Sequence, residues 1–299
     1  MTGGTSRTID NGIAKCQLIE GDSRVVLKDY VGVADLIVTS PPYADARHKH
    51  YDSIHPSQFA EWFMEFSPVF YEALKPDGSL VINIKDKVVD GVRHRFVWHT
   101  IERMCAAGWF SIDDYLWHKT NPMPGYWPTR LRDGWEYCFH LAKTIRPYIN
   151  QDAVRKPIGT WAETRMANLG ENDLSRHNSV NDSGFGRDLS NWSDKETVLP
   201  SNVLSLALVG KNKGHPATYP VGLPDFFIRL LSRPASTIID PFGGSGTTAI
   251  AALRLGRNCV IIDNNHEYIE RAETRILTES KMTKAEILQL SSETANQID

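Results

Sequence analysis

The passage over residues 236–255 constrains this chain most. Ser236-Thr237-Ile238-Ile239-Asp240 is an apolar, β-branched run of strand length. It passes into Pro241-Phe242-Gly243-Gly244-Ser245-Gly246 and then into a helical pattern from Thr247 onward. Glycines let the backbone turn sharply and let a ligand approach without interference from a Cβ. The start of the helix offers free N–H groups and the positive end of a dipole. A strand, a glycine turn and a helix in this order belong to folds in which helices cover a parallel sheet.

The rest of the chain repeats that alternation. Residues 16–19, 35–39, 79–84, 112–118, 137–142 and 258–263 read as strands. Residues 56–74, 96–107, 223–232 and 266–277 read as helices, and Lys75-Pro76-Asp77-Gly78 as the turn that stops the first of them. The expected fold class is α/β, a mostly parallel sheet with helices on both faces. From residue 150 to 199 the chain turns polar and loses its periodicity, which marks an inserted region. The 299 residues, 41% hydrophobic, suffice for one α/β core and a smaller insertion.

Three uses of the glycine loop compete. A phosphate loop needs a lysine before Ser/Thr, and this loop has none. A dinucleotide loop would use Gly244, Gly246 and Ala249, with Asp263 on a ribose. A methyltransferase loop requires an acid at the strand end, glycines, and a second acid after the next strand; Asp240 and Asp263 supply these.

A second motif follows the strand over residues 35–39. In Ser40-Pro41-Pro42-Tyr43 two prolines stiffen the backbone and remove two N–H donors. The Ser40 hydroxyl and the Pro41 carbonyl remain as acceptors, and Tyr43 adds a flat ring. An exocyclic base amine donates two hydrogen bonds, so an acceptor pair suits it, and an aromatic face suits the base. Such an amine is a poor nucleophile because its lone pair is delocalised. Positioning and electrostatics then supply the catalysis, without a covalent intermediate. Methylation at a ring carbon would need a nucleophilic cysteine, usually after proline, and none of Cys16, Cys105, Cys138 and Cys259 follows one.

The net charge is −3, so any nucleic-acid contact must use local positive charge. Lys119, Arg130, Arg132, Lys143, Arg146, Arg155, Lys156 and Arg165 make the middle of the chain basic, whereas the region after residue 263 is acidic. The scattered cysteines read as buried free thiols, and neither they nor the histidines have metal-ligand spacing, so no metal is expected. No apolar run approaches the roughly 20 residues needed to span a membrane. With a polar N-terminus, these features make a reducing cytoplasm the default expectation.

Taken together, the motifs resemble those of the amino-group DNA methyltransferases, in the beta order where the catalytic motif precedes the cofactor loop. Thr39-Ser40-Pro41-Pro42-Tyr43 resembles the catalytic motif. Leu74-Lys75-Pro76-Asp77-Gly78, Asn121-Pro122-Met123-Pro124 with Glu136 downstream, and His215-Pro216-Ala217-Thr218-Tyr219-Pro220 resemble accompanying segments. Residues 240–248 and 263–268 resemble the cofactor loop and the ribose segment.

The resemblance implies a seven-stranded sheet and S-adenosylmethionine as methyl donor. It implies catalytic roles for Ser40, Pro41, Pro42 and Tyr43. It implies cofactor contacts by Asp22, Thr39, Asp240, Phe242, Gly244, Gly246, Thr247, Thr248 and Asp263. It divides the chain into a catalytic half (12–149), a target-recognition insertion (150–200), a cofactor half (201–280) and a C-terminal helix and tail (281–299). Ser rather than Asp or Asn at position 40 favours N4 of cytosine over N6 of adenine; a nicotinamide-dependent oxidoreductase is a more distant alternative. Double-stranded DNA is the expected partner, with Arg47, Lys49, Tyr126, Trp127, Arg165 and Arg187 as candidate contacts. A restriction endonuclease of the same system is a further expected partner, and the chain would act as a monomer or homodimer.

Overall fold

A computed structural model describes residues 6–44, 54–158, 196–209 and 219–280. The chain divides into two units, residues 1–150 with 202–299, and residues 151–201.

The larger unit is built on a sheet. Its strands in chain order are β1 (Ser6–Asp10), β2 (Lys15–Glu20), β3 (Ala34–Thr39), β4 (Leu74–Ile84), β7 (Phe110–Lys119), β8 (Trp135–Ala142), β11 (Val203–Leu206), β12 (Thr237–Asp240) and β13 (Asn258–Asp263). A separate antiparallel hairpin pairs β5 (Lys87–Val89) with β6 (Val92–His94). The helices are α1 (Ser23–Val26), α2 (Pro56–Met64), α3 (Ser67–Ala73), α4 (Phe96–Ala106), α5 (Gly222–Leu231), α6 (Thr247–Arg254) and α7 (His266–Glu279).

The strand order is β1-β2-β13-β12-β3-β4-β8-β7-β11. The run from β2 to β4 is parallel, as is β7 with β11; β1, and β8 against both its neighbours, are antiparallel. Among the described residues the sheet has nine strands instead of the expected seven. The additions lie at the edges: β1, from an N-terminus too polar to signal a strand, and the four-residue β11.

Two local readings are corrected. The predicted helix over 56–74 is two helices, because Pro68 lacks the N–H a continuing helix needs and instead starts α3. Residues 75–78 do not separate a helix from a strand. They bulge within β4, between the pairs Ala34–Leu74 and Leu36–Ser79. The buried Asp35 holds that bulge, accepting from Lys75 Nζ at 2.8 Å and from the Thr237 N–H at 2.9 Å. Cys16, Cys138 and Cys259 are buried thiols, but Cys105 is exposed because it lies on the outer face of α4. No helix among the described residues is long and apolar enough to cross a membrane.

Phe59, Phe63 and Phe70 are fully buried and pack with Trp62 and Phe66 into an aromatic cluster under the sheet. Helix α6 buries every residue from Thr247 to Leu253. Gly246 starts it at φ +74°, and a Cβ there would lie 2.9 Å from Ile276 of α7. A Cβ at Gly243 would lie 2.1 Å from Ile261. Packing therefore requires glycine at 243, and the left-handed backbone requires it at 246.

In the smaller unit, β9 (Lys156–Pro157) pairs antiparallel with β10 (Thr197–Val198), and the Ile158 N–H donates to the Glu196 carbonyl at 2.9 Å. Residues 159–195, with Arg165 and Arg187, lie outside the described residues, as do Arg47, Lys49, the segment 215–218 and the predicted tail 281–299.

Candidate active site

Strands β12 and β3 are adjacent and parallel, Ile238 opposite Leu36 and Ile239 opposite Ile37. The glycine loop and Ser40-Pro41-Pro42-Tyr43 therefore leave the sheet side by side, although 200 residues separate Ser40 from Asp240. Chain connections run away from this pair in opposite directions, to β13 from β12 and to β4 from β3. Ligands in open α/β sheets bind at such a switch point, beyond the carboxyl ends of the strands.

Asp240 ties the two motifs together. It is 1% exposed. Oδ1 accepts the Thr39 hydroxyl at 2.8 Å and the Phe242 N–H at 3.2 Å. Oδ2 accepts the Tyr219 hydroxyl at 3.1 Å and the Thr248 hydroxyl at 2.5 Å. A carboxylate has about four acceptor positions, so these bonds fill it. Burial raises the Asp240 pKa, and the Thr248 and Thr39 hydrogen bonds oppose that rise. Asp240, Thr39 and Thr248, expected at the cofactor, direct these polar atoms at one another and set the loop against the catalytic strand.

Asp263 closes the other side. Its Oδ2 accepts the Gly244 N–H and its Oδ1 the Asn265 N–H, each at 2.9 Å. Burial pushes its pKa up to about 6, with the two backbone N–H bonds acting against the shift. Each oxygen keeps acceptor capacity for a ligand hydroxyl. The Gly21 N–H donates to the Asp263 carbonyl at 2.9 Å, and the Ser23 hydroxyl donates to the Pro241 carbonyl, so Asp22 stands beside the loop. Asp22 caps α1 through the Arg24 N–H at 2.8 Å and accepts the Arg24 guanidinium, which lowers its pKa. Arg275 of α7 donates to Ser245 Oγ at 3.0 Å and to Thr247 Oγ1 at 2.8 Å, so Thr247 is engaged from behind. Phe242 packs edge-on against Phe66 at 5.0 Å and beside Trp62 at 6.0 Å.

In the tetrapeptide, Pro41 is buried, and Ser40, Pro42 and Tyr43 are half-buried. The Tyr43 hydroxyl donates to Glu136 Oε2 at 2.5 Å. Lys119 Nζ donates to Glu136 Oε1 at 2.6 Å. Lys119 and Glu136 are both buried, and Nζ lies 5.1 Å from the Trp117 ring centre. Burial, reinforced by the Glu136 charge, holds the Tyr43 pKa well above that of a free tyrosine, so the hydroxyl remains a donor. Nearby, Lys85, Arg93 and Arg130 share Asp133, at 4.0, 2.9 and 3.3 Å. Desolvation lowers the Lys85 pKa.

Of the two aromatic DNA-contact candidates, Tyr126 is 87% exposed and Trp127 38%. The Arg130 guanidinium lies over the Trp127 ring at 4.4 Å, so one face of Trp127 is occupied. Sequence reasoning missed the roles of Tyr219, Arg275, Lys119, Arg24 and Glu136 in this framework. Only Tyr219 and Glu136 lay within motifs already singled out. The described residues contain no cluster of three His, Cys, Asp or Glu able to hold a metal.

The chain is 28% identical to the Type II methyltransferase M.PvuII of Proteus hauseri over 289 residues, covering 88% of this chain and 85% of the relative. It is 24% identical to the Type II methyltransferase M.SmaI of Serratia marcescens, covering 91% and 94%. Its fold matches the solved structure of the PvuII DNA methyltransferase (cytosine-N4-specific) with a TM-score of 0.67 at 24% identity, covering 94% of this chain and 93% of that one. A family model described as DNA methylase, of the N6/N4 methyltransferase type, matches residues 34–274, and the chain belongs to that family.

Proposed function

We propose that this chain transfers a methyl group from S-adenosylmethionine to the N4 amine of a cytosine in a specific double-stranded DNA sequence, as the modification half of a restriction-modification system. The observation that carries the reading is the union of glycine loop and tetrapeptide at neighbouring strand ends, bonded through Thr39 and Asp240.

The residues fit the cofactor. The α6 start has no side-chain cap, which leaves its first N–H groups for a ligand. Asp263 retains acceptor capacity for ribose hydroxyls, and Phe242 borders the loop. When bound, S-adenosylmethionine supplies an electrophilic methyl group on a sulfonium. The protein's own part is positional. Ser40 Oγ and the Pro41 carbonyl accept hydrogen bonds from the two amine N–H groups and draw the nitrogen toward tetrahedral geometry, while the Tyr43 ring stacks on a base turned out of the duplex; the one proton that the methylated amine sheds passes to water. Target recognition falls to the inserted unit, with Arg165 and Arg187, and phosphate contacts to Arg47 and Lys49.

The choice of cytosine rests on Ser40, a neutral hydroxyl acceptor, and on the PvuII enzyme that this fold matches, which is a cytosine-N4-specific methyltransferase. Purified protein incubated with DNA and methyl-labelled cofactor, followed by digestion to nucleosides, tests it. The expected product is 4-methylcytosine. Label in 6-methyladenine alone overturns the cytosine assignment, and no label in any DNA overturns the methylation reading.

A further inference from the structure

We infer that the buried Lys119–Glu136 pair is a positioning device for the methyl transfer, acting through the hydroxyl of Tyr43; the inference rests on the proposed methylation of a stacked base. Tyr43 follows two prolines and is half-buried, packed on one side against the hydrophobic core. Its hydroxyl is the one atom of the ring that can fix the plane by a directional bond. That hydroxyl donates to Glu136 Oε2 at 2.5 Å, a length typical of a charge-assisted bond.

Glu136 is in turn held from the other side by Lys119 at 2.6 Å. The three residues come from three strand ends on one edge of the sheet: β3 leads to Tyr43, β7 ends at Lys119, and β8 carries Glu136 as its second residue. Register reinforces this, with Trp117 opposite Glu136 across β7 and β8. A buried ion pair is poor value for stability alone, because removing both charges from water offsets most of their attraction. What this pair provides is an anionic acceptor of defined position, which fixes the plane of the ring. Glu136 does not touch the base and takes no proton in the reaction. Lys119 holds it in place, and Tyr43 conveys its position.

The experiment is a double-mutant cycle read by single-turnover methyl transfer at saturating cofactor and DNA, with S-adenosylhomocysteine binding measured by calorimetry. Tyr43→Phe keeps the ring and removes the hydroxyl, with its bond to Glu136 and its contact with Ser40. Lys119→Met/Glu136→Gln removes both charges together and avoids leaving a bare buried ion. Each change alone is expected to slow the transfer step about tenfold, the kinetic equivalent of one charge-assisted hydrogen bond. Combined, they are expected to cost no more than either alone, because both remove the same interaction. Affinity for S-adenosylhomocysteine should stay within about twofold throughout.

Losses that multiply show a merely structural role for the pair and overturn the inference, as does a Tyr43→Phe rate within about twofold of wild type. If the Lys119→Met/Glu136→Gln variant fails to fold, Glu136→Gln alone, which keeps an acceptor for both Lys119 and Tyr43, takes its place in the cycle. A wild-type protein that binds the cofactor analogue yet methylates no DNA refutes the methylation reading, a result distinct from either of these.

Discussion

Two of the carboxylates buried at the active edge of this sheet, Asp240 and Glu136, are kept in different ways. Asp240, in the parallel centre, is satisfied by three hydroxyls and one backbone N–H, with no cation in contact among the described residues. Glu136, in the antiparallel flank, is satisfied by an ammonium and a phenol. Neutral donors follow the carboxylate wherever the backbone carries them, so Asp240 serves to join segments. A cation fixes charge as well as place, and its partner is costly to lose, so Glu136 anchors a single side chain. The contrast also separates two kinds of fragility. An acid held by hydroxyls leaves groups that can bond to one another when it is removed, whereas an acid held by lysine leaves a bare charge.

That difference is open to measurement. The largest effect is expected from Glu136→Ala, which strands Lys119 in the interior and should cost about 4 kcal/mol in urea denaturation. A cost below that of Asp240→Ala would invert the comparison. Asp240→Ala should itself cost about 3 kcal/mol, since Thr39, Tyr219 and Thr248 lose a shared acceptor. It should also weaken S-adenosylhomocysteine binding in calorimetry, because the loop loses its tie to β3. Binding unchanged at wild-type strength would show that the tie is dispensable.

Acid brings out a further contrast within the sheet. His140 of β8 is buried with Nε2 2.8 Å from Ser79 Oγ, and burial pushes its pKa from 6.5 down to about 4. Between those values the unfolded chain binds the proton and the folded chain does not, so stability from this group is complete above pH 6.5 and is lost as pH falls toward 4. The loss is about 3 kcal/mol. Asp263 has the opposite sign. Its pKa rises from 3.8 to about 6, so the folded chain binds the proton first and gains stability as pH falls through that window. Wild type minus His140→Gln, measured by denaturation at pH 6.5 and at pH 4, should therefore shift by roughly 3 kcal/mol against the wild type. A difference that does not move with pH would show that His140 is not held neutral. The smallest effect belongs to Thr39→Val, which removes one of the four Asp240 donors and should cost about 1 kcal/mol, read as a small fall in melting temperature.

Much of the framework was legible residue by residue. The strand Asn258–Asp263 and the start of α6 at Thr247 lie where the apolar run and the glycine loop predict them. The hairpin of β5 and β6 was missed although Asp90-Gly91 stands between Val88-Val89 and Val92, a turn signal of the strongest short-range kind. Both turn residues have positive φ, 49° and 78°. Pro68 was likewise visible, but periodicity on both sides of it outweighed its meaning in the reading. Strand β1 carries no such signal, because an edge strand is held by its neighbour and not by its own apolar face.

By itself the sequence determined the alternation of strands and helices, the glycine loop, and a rigid proline tetrapeptide able to accept hydrogen bonds. These are local properties, written in runs of a few residues. Only the tertiary structure decided that β12 inserts beside β3, and therefore that Asp240 meets Thr39 and Tyr219. Only it decided that Lys119 and Glu136 converge behind Tyr43. The physical reason is that a buried carboxylate is set by the donors around it, and donors brought together from distant strands leave no periodic trace in the chain.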